Sequence, residues 1–261
     1  MNGFSRYIGI DYSGAKTPTE SLPGLRIYSA SEFAHPAEIF PPPSPRKYWT
    51  RRGIAEWLVQ TLKENSPTIV GIDHGFSFPL KYFERYNLAH NWDLFLDDFW
   101  YHWPTDQDHT YVEFIRNGLY GDGKERQGER RWRRLTEIRA GAAKSVFFFD
   151  VQGSVAKSTH AGIPWLRYIR KALGNAVHFW PFDGWTPPKG VHVVVEVYPS
   201  LWSHLYVTKD QTKDQKDAYA VSSWLREMDR AGNLMNFFKP SFETDNDEAT
   251  AKIEGWILGV G

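Results

Sequence analysis

Residues 6–14, Arg-Tyr-Ile-Gly-Ile-Asp-Tyr-Ser-Gly, contain a short apolar run that ends at an acidic residue. The run predicts a buried β-strand, and the Asp11-Tyr12-Ser13-Gly14 stretch after it is typical of the turn that stops one. A second run, Thr-Ile-Val-Gly-Ile-Asp at residues 68–73, ends at Asp73 in the same way. This second run does not alternate apolar and polar residues, so it fits a strand that is covered on both faces of its sheet.

The segments around these runs predict a sheet flanked by helices. Residues 25–32 alternate and predict a strand that pairs antiparallel with its neighbour across the Pro23-Gly24 turn. Residues 191–197, Val-His-Val-Val-Val-Glu-Val, form the strongest strand pattern in the chain. Helices are expected at 51–64, 164–173, 215–230 and 248–257. Strands separated by helices indicate an α/β fold with parallel strands.

Residues 82–150 are rich in Trp, Phe and Tyr and carry a charged stretch with helical character near 126–139. We interpret this segment as an insertion that covers the core of one domain spanning residues 1–261. The Pro-Pro-Pro-Ser-Pro stretch at residues 41–45 cannot be helical and predicts a stiff, extended linker.

Several acids are expected at one edge of this sheet. Asp11, Asp73 and Glu196 each stand at or just before the end of a predicted strand. Asp214 and Asp217 are three residues apart at the start of a predicted helix, so they face the same way. Carboxylates that meet at one point repel each other unless a cation neutralises them, and hard oxygen ligands select Mg²⁺ or Mn²⁺. The pattern therefore predicts a divalent metal site.

Each of these acids also has a structural interpretation. An Asp after a strand is a common turn former, and an Asp near a helix start is a common cap. Asp214 fits the cap interpretation best. The five acids taken together are harder to explain as turns and caps.

Short segments of the chain resemble, in order, a domain-of-unknown-function family of predicted nucleases with a ribonuclease H-like fold. These segments are Ile8-Gly9-Ile10-Asp11, Gly71-Ile72-Asp73, Phe76-Ser77-Phe78-Pro79, Glu196-Val197-Tyr198-Pro199, Asp217-Ala218-Tyr219-Ala220 and Glu254-Gly255-Trp256-Ile257. The resemblance implies an antiparallel meander with parallel strands beside it, and Asp11, Asp73, Glu196 and Asp217 as metal ligands. The Asp214/Asp217 pair resembles the paired acids on the last helix of Holliday-junction resolvases.

Residues 153–159, Gly-Ser-Val-Ala-Lys-Ser-Thr, invite comparison with a phosphate-binding P-loop. That motif needs Gly at positions 151 and 156, where this chain has Val and Ala. An ordinary loop is the simpler interpretation. A third possibility is an anion-contacting loop that faces the acids, in which Lys157, Ser158 and Thr159 hold a substrate phosphate.

Two basic segments contain aromatic residues. Residues 46–52, Arg-Lys-Tyr-Trp-Thr-Arg-Arg, precede the first helix, and Arg46 there could contact substrate or serve a structural role. Residues 124–139 carry seven bases and three acids around Trp132. This second segment could contact a nucleic-acid backbone, or be a solvated helix with pairs such as Glu129–Arg133.

Composition limits the function classes. The chain of 261 residues has no cysteine, which excludes disulfides and zinc-thiolate sites, and its formal net charge of zero argues against a broad nonspecific nucleic-acid binder. No signal segment or membrane span is visible, so a cytoplasmic location without a membrane partner is expected. No His-Glu-x-x-His or Gly-x-Ser-x-Gly pattern occurs. His74, next to Asp73, could carry a proton or be structural.

These observations predict a metal-dependent nuclease that hydrolyses phosphodiester bonds by a two-metal mechanism, with nucleic acid as its partner. In this hypothesis Asp11, Asp73, Glu196 and Asp217 bind Mg²⁺ or Mn²⁺, and Asp214 supports them. The alternative is a nucleic-acid or nucleotide-binding module of the same fold with structural acids. A phosphotransferase acting on a small nucleotide fits least, because it needs glycine-rich phosphate loops and only residues 11–14 come close.

Overall fold

The computed structural model describes residues 3–42, 47–150, 155–206 and 209–261. Its centre is a six-stranded sheet in the order β3-β2-β1-β4-β6-β5. The strands are β1 Arg6–Asp11, β2 Arg26–Ser31, β3 Ala37–Glu38, β4 Thr68–Ile72, β5 Val177–Phe179 and β6 His192–Glu196. Strands β1, β2 and β3 pair antiparallel, whereas β1–β4, β4–β6 and β5–β6 pair parallel. The predicted α/β class with a mixed sheet is confirmed.

Helices cover both faces of the sheet. They are α1 Arg51–Thr61, α2 Leu80–Arg85, α3 Trp92–His102, α4 Val112–Arg116, α5 Leu135–Arg139, α6 Val155–Leu173, α7 Lys213–Arg230, α8 Leu234–Phe237 and α9 Asp245–Glu254. Helix α7 packs on β1 and β2, and on the opposite face α1 packs against α6 and α6 against α3. Along β1, Ile8 and Ile10 face the α1/α6 side and Tyr7 faces the α7 side. Burial on both faces explains why this strand is apolar without alternation.

Helix α7 lies unusually close to the sheet because two glycines leave room for it. A Cβ atom at Gly9 would lie 2.3 Å from the Ala218 carbonyl oxygen, and one at Gly71 would lie 2.7 Å from Val221 Cγ1. The Ser222 hydroxyl donates to the Tyr7 carbonyl oxygen over 2.8 Å. Because Ala218 and Ser222 meet the strand at Gly9 and Tyr7 in that order, α7 runs antiparallel to β1. Its first turn therefore lies at the carboxyl edge of the parallel strands.

Helix α6 is longer than the sequence predicts. The sequence predicts a short helix at 164–173, but the helix runs continuously from Val155 to Leu173 and includes Pro164. Pro164 lacks an N–H group, so the His160 carbonyl loses its usual helical donor. The buried Thr105 hydroxyl supplies a replacement and donates to that carbonyl over 2.7 Å. A tertiary contact thus offsets the local signal that predicted a break.

We expect Thr105→Val to lower the free energy of unfolding by about 1–3 kcal/mol, because it leaves the buried His160 carbonyl without a donor. Pro164→Ala restores a backbone N–H at the position that serves this carbonyl. In the Pro164→Ala background, Thr105→Val should therefore cost clearly less. Chemical denaturation of the four proteins measures both effects, and equal costs in the two backgrounds would contradict the assignment.

The aromatic-rich segment 82–150 packs on the α1/α6 side of the core. Phe95, Phe99 and Phe147 belong to the same apolar cluster as Ile8 and Ile10. The helix expected near 126–139 is mostly absent, since only α5 is α-helical there. Arg133 donates to the carbonyls of Glu137 and Ala143 and does not pair with Glu129, so the solvated-helix interpretation is wrong. Among the described helices, none combines the length and apolar character needed to cross a membrane.

Candidate functional site

The ends of β1 and β4 place Asp11 and Asp73 side by side. In the parallel register Gly9 is paired with Gly71 and Ile10 with Ile72. The pair that follows is Asp11 and Asp73, and the Asp73 N–H donates to the Ile10 carbonyl over 3.0 Å. Side chains two residues apart on a strand face the same way, so both aspartates lie on the α7 side, like the two glycines.

The first turn of α7 adds Asp214 and Asp217 to this edge. Thr212 caps the helix, since its hydroxyl accepts from the Gln215 N–H and the Gln215 side chain accepts from the Thr212 N–H. The cap interpretation of Asp214 is therefore wrong. Asp214 instead lies near the Pro23-Gly24 turn, where a Cβ atom at Gly24 would be 3.7 Å from Asp214 Oδ2. The positive end of the helix dipole favours carboxylates at this place.

The charges of these four aspartates act on one another. Burial, followed by the charges of Asp73, Asp214 and Asp217, raises the pKa of Asp11 well above its usual value. Burial and the charges of Asp217 and Glu196 raise the pKa of Asp73 to about 8. Burial raises the pKa of Asp217. The charge of Lys213 lowers it, and the charge of Asp214 raises it. All four groups therefore lie close enough to repel.

Few cations offset this repulsion. None of the ion pairs among the described residues includes one of the four aspartates. Lys213, the first residue of α7, is exposed, and its charge lowers the pKa of Asp11, Asp73 and Asp217. Hard carboxylate oxygens with so little neutralisation suit a divalent cation such as Mg²⁺.

The arrangement is not a preformed metal cage. In the described part of the chain, no three His, Cys, Asp or Glu side chains already form a group that could hold a metal ion. A bound cation would have to draw the aspartates closer together. The register of β1 and β4 and the direction of α7 place the four aspartates at one edge, but not in a ready-made metal-binding group.

Glu196 is not brought into this cluster. It is in register with Ile72, one position before Asp73, so its side chain faces the α1/α6 side of the sheet. There Arg134 donates to both carboxylate oxygens, over 2.7 Å and 2.5 Å, and the Phe76 N–H donates over 3.0 Å. Glu196 is 3% exposed and still close enough for its charge to raise the pKa of Asp73. The carboxylate predicted to hold metal is instead the partner of an arginine.

Arg134 is the centre of a buried charge network that the sequence did not reveal. Its guanidinium also donates to Glu137 over 2.9 Å, and both side chains are 1% exposed. Nearby, Glu254 accepts from the backbone N–H groups of Leu80 and Leu135, each over 2.6 Å. Burial raises the pKa of Glu254 to about 7. The network ties β6, α2, α5 and α9 together next to the acidic edge, which is the edge of the sheet that carries Asp11, Asp73, Asp214 and Asp217.

The predicted phosphate-contacting residues lie in a helix and not in a loop. Lys157 forms an ion pair with Glu113, and the Ser158 hydroxyl donates to the Val155 carbonyl over 3.1 Å. The Thr159 hydroxyl accepts from the Gly75 N–H over 2.9 Å. These side chains thus have partners within the protein. Arg46 lies outside the described residues.

The first turns of α6 nevertheless lie beside the loops that follow β1 and β4. A Cβ atom at Gly14 would be 2.0 Å from the Lys157 carbonyl oxygen, so backbone packs directly on backbone there. Gly75, the donor to Thr159, is two residues after Asp73. This part of α6 therefore supports the two loops that carry Asp11 and Asp73.

His74 has a structural environment. It is 1% exposed, its Nδ1 lies 2.9 Å from the Gly75 carbonyl oxygen, and its ring contacts Tyr12 with centroids 4.6 Å apart. Burial lowers its pKa to about 4. The imidazole is therefore neutral at physiological pH and enclosed by protein, which favours the structural interpretation over a proton carrier.

No protein-family model, curated protein or solved structure matches this chain. Any functional assignment therefore depends on the geometry of the acidic edge.

Proposed function

We propose that this protein is a Mg²⁺- or Mn²⁺-dependent nuclease with a ribonuclease H-like fold, and that its substrate is nucleic acid. The observation that carries the proposal is the convergence of Asp11, Asp73, Asp214 and Asp217 on one edge of the sheet. Burial, and after it the charges of neighbouring acids, raise the pKa of Asp11 and of Asp73, so ionising both carboxyl groups there is unfavourable. A divalent cation that binds there removes this repulsion and gains hard oxygen ligands.

The order of the strands supports the fold assignment. An antiparallel β3-β2-β1 meander with parallel β4, β6 and β5 beside it agrees with the arrangement that the sequence resemblance implies. Two acids on the helix that packs across β1 also agree with it. In sheets of this kind, sites form outside the carboxyl ends of the strands.

The roles of the residues follow from their positions. Bound divalent metal would activate a water molecule and stabilise the charge that develops on the phosphodiester. Asp11 and Asp73 would hold the metal from the strand ends, and Asp214 and Asp217 would hold it from α7. The exposed ammonium of Lys213 attracts the anionic substrate to this edge. Glu196 and Arg134 hold the loop after β4 through the Phe76 N–H.

A metal titration combined with a cleavage assay tests this function. Calorimetry with Mn²⁺ should show binding, and Mg²⁺ or Mn²⁺ should support cleavage of some member of a panel of DNA, RNA and junction substrates. Reactions with EDTA should show none. A protein that binds no Mn²⁺ and cleaves nothing would contradict the proposal.

The absence of a preformed metal group within the described residues favours a second candidate. In that case the protein is a nucleic-acid or nucleotide-binding module, and the aspartates are structural. Nucleic-acid binding that weakens with salt, together with no heat of Mn²⁺ binding, would support this alternative.

A further inference from the structure

The surface near the aromatic-rich segment carries a group of exposed cations. We define the basic surface by Arg130, Arg131 and Lys144, which are exposed, and by Phe148, which is partly buried. The chain as a whole has no net charge, so a group of cations in one place means that positive and negative charges are distributed unevenly over the surface. Such a patch attracts polyanions even on a neutral protein.

These cations differ from Arg126 and Arg134 in having no carboxylate partner among the described residues. Arg126 pairs with Asp98 and Arg134 with two glutamates. By contrast, Arg130, Arg131 and Lys144 form no ion pair with a carboxylate in residues 3–42, 47–150, 155–206 and 209–261. Their charges are therefore available to an external anion.

The Phe148 ring lies near two of these cations. The Arg130 guanidinium carbon is 5.8 Å from the centre of its ring, and the Lys144 ammonium is 5.7 Å from it. An aromatic ring close to cations combines a stacking surface for a base with charges for its phosphates. An aromatic ring next to cations suits a nucleic-acid strand, which has both bases and phosphates, better than a simple inorganic anion.

The basic surface is attached to the loop that follows Asp73. The Ser145 hydroxyl donates to the Trp132 carbonyl and joins the stretch that carries Arg130 and Arg131 to the stretch that carries Lys144. Val146 packs directly on Gly75, where a Cβ atom would lie 2.7 Å from Val146 Cγ1. Gly75 is two residues from Asp73, and Val146 is two residues from Lys144 and from Phe148. Chain geometry therefore limits the separation of Asp73 and Phe148 backbones to on the order of 20 Å.

We propose that the basic surface binds a single strand of nucleic acid, with Arg130, Arg131 and Lys144 on its phosphates and a base stacked on Phe148. This inference rests on the proposed nuclease function for the identity of the polyanion. The strand would extend from the basic surface to the acidic edge, where it is cleaved. The surface supplies affinity at a distance from the repelling aspartates.

Binding is tested without cleavage, in EDTA, by fluorescence anisotropy of a labelled 20-nucleotide single strand. The triple variant Arg130→Ala/Arg131→Ala/Lys144→Ala should bind at least tenfold more weakly. It should also reduce the slope of log K against log salt by about 2, at roughly 0.7 for each phosphate contact on single strands. Phe148→Leu should weaken binding about fivefold or more while leaving the salt slope unchanged.

The matched control is Lys63→Ala/Lys189→Ala/Lys239→Ala, which removes the same charge from exposed positions elsewhere. It should bind within twofold of the wild type. An equal loss in the control, or no loss in the first triple variant, would overturn the proposal. So would binding of phosphatidylserine vesicles through these residues without binding of the oligonucleotide. Oligonucleotide binding through this surface by a protein that never cleaves would overturn the nuclease function alone.

Discussion

Asp11→Asn should abolish metal-dependent cleavage and, in the absence of metal, raise the melting temperature. The variant loses a metal ligand at a rigid strand end, so we expect activity to fall by about a thousandfold or more, in line with several kcal/mol from metal catalysis. It also removes a carboxyl group whose ionisation is opposed by burial and by the charges of Asp73, Asp214 and Asp217. Activity and stability should therefore change in opposite directions, which a purely structural aspartate would not produce.

The pH dependence of stability gives this prediction a second measurement. An unfolded aspartate loses its proton near pH 4, whereas the folded Asp73 keeps its proton up to a pKa of about 8. Between these values the folded state binds more protons than the unfolded state, so the free energy of unfolding falls as pH rises. Asp11 contributes in the same direction. Asp11→Asn should make this fall shallower in EDTA, and Mg²⁺ should reduce it in the wild type.

Asp122→Asn is the matched control, because Asp122 is exposed and lies far from β1 in sequence. It should retain wild-type cleavage and the wild-type pH dependence. Thermal melts from pH 4 to pH 9, with EDTA or with Mg²⁺, compare the three proteins. If Asp11→Asn melts below the wild type at pH 8 in EDTA, the repulsion that we assign to this edge does not exist.

The sequence predicted the parts of the fold that local pattern determines. The apolar runs ending at Asp11 and Asp73 are strands, because burial on both faces demands continuous apolar residues. The predicted start of α6 was wrong. A proline such as Pro164 breaks a helix unless another group donates a hydrogen bond to the carbonyl that the proline leaves without a donor. That group, Thr105, is distant in sequence, and no local pattern reveals it.

The same contrast applies to the candidate site. Asp11, Asp73, Asp214 and Asp217 were expected together, and the register and the direction of α7 place them at one edge. Glu196 was expected with them but ends a run of valines that are buried on both faces. Without alternation, such a run does not show which face its last residue occupies. A shift of one position moves the side chain to the other face.

Arg134 could not be identified from its surroundings either. It stands in a basic segment whose other members are mostly exposed or partly exposed, yet its own guanidinium is buried. Composition alone describes such a segment as a solvated or nucleic-acid-binding surface. The burial of one member depends on the distant partner Glu196, which only the folded chain brings near.

Arg134→Met should lower the free energy of unfolding by about 3–5 kcal/mol, because it leaves Glu137 and Glu196 buried without their cation. For a chain of this size the melting temperature should fall by roughly 10 °C. The control is Arg131→Met, an exposed neighbour, which should change the free energy of unfolding by less than about 0.5 kcal/mol. Denaturant titrations measure both, and a similar small effect in the two variants would contradict the buried network.

Glu196→Gln separates this network from the metal site. Alone it should destabilise the protein, and combined with Arg134→Met it should cost less than the sum of the two, because the pair is already broken. If Glu196 serves only Arg134 and Phe76, the variant should bind Mn²⁺ as the wild type does. If it is a ligand, as the sequence resemblance implies, Mn²⁺ binding should weaken markedly even at temperatures where the variant is fully folded. Calorimetry on folded protein therefore decides between the two roles of this carboxylate.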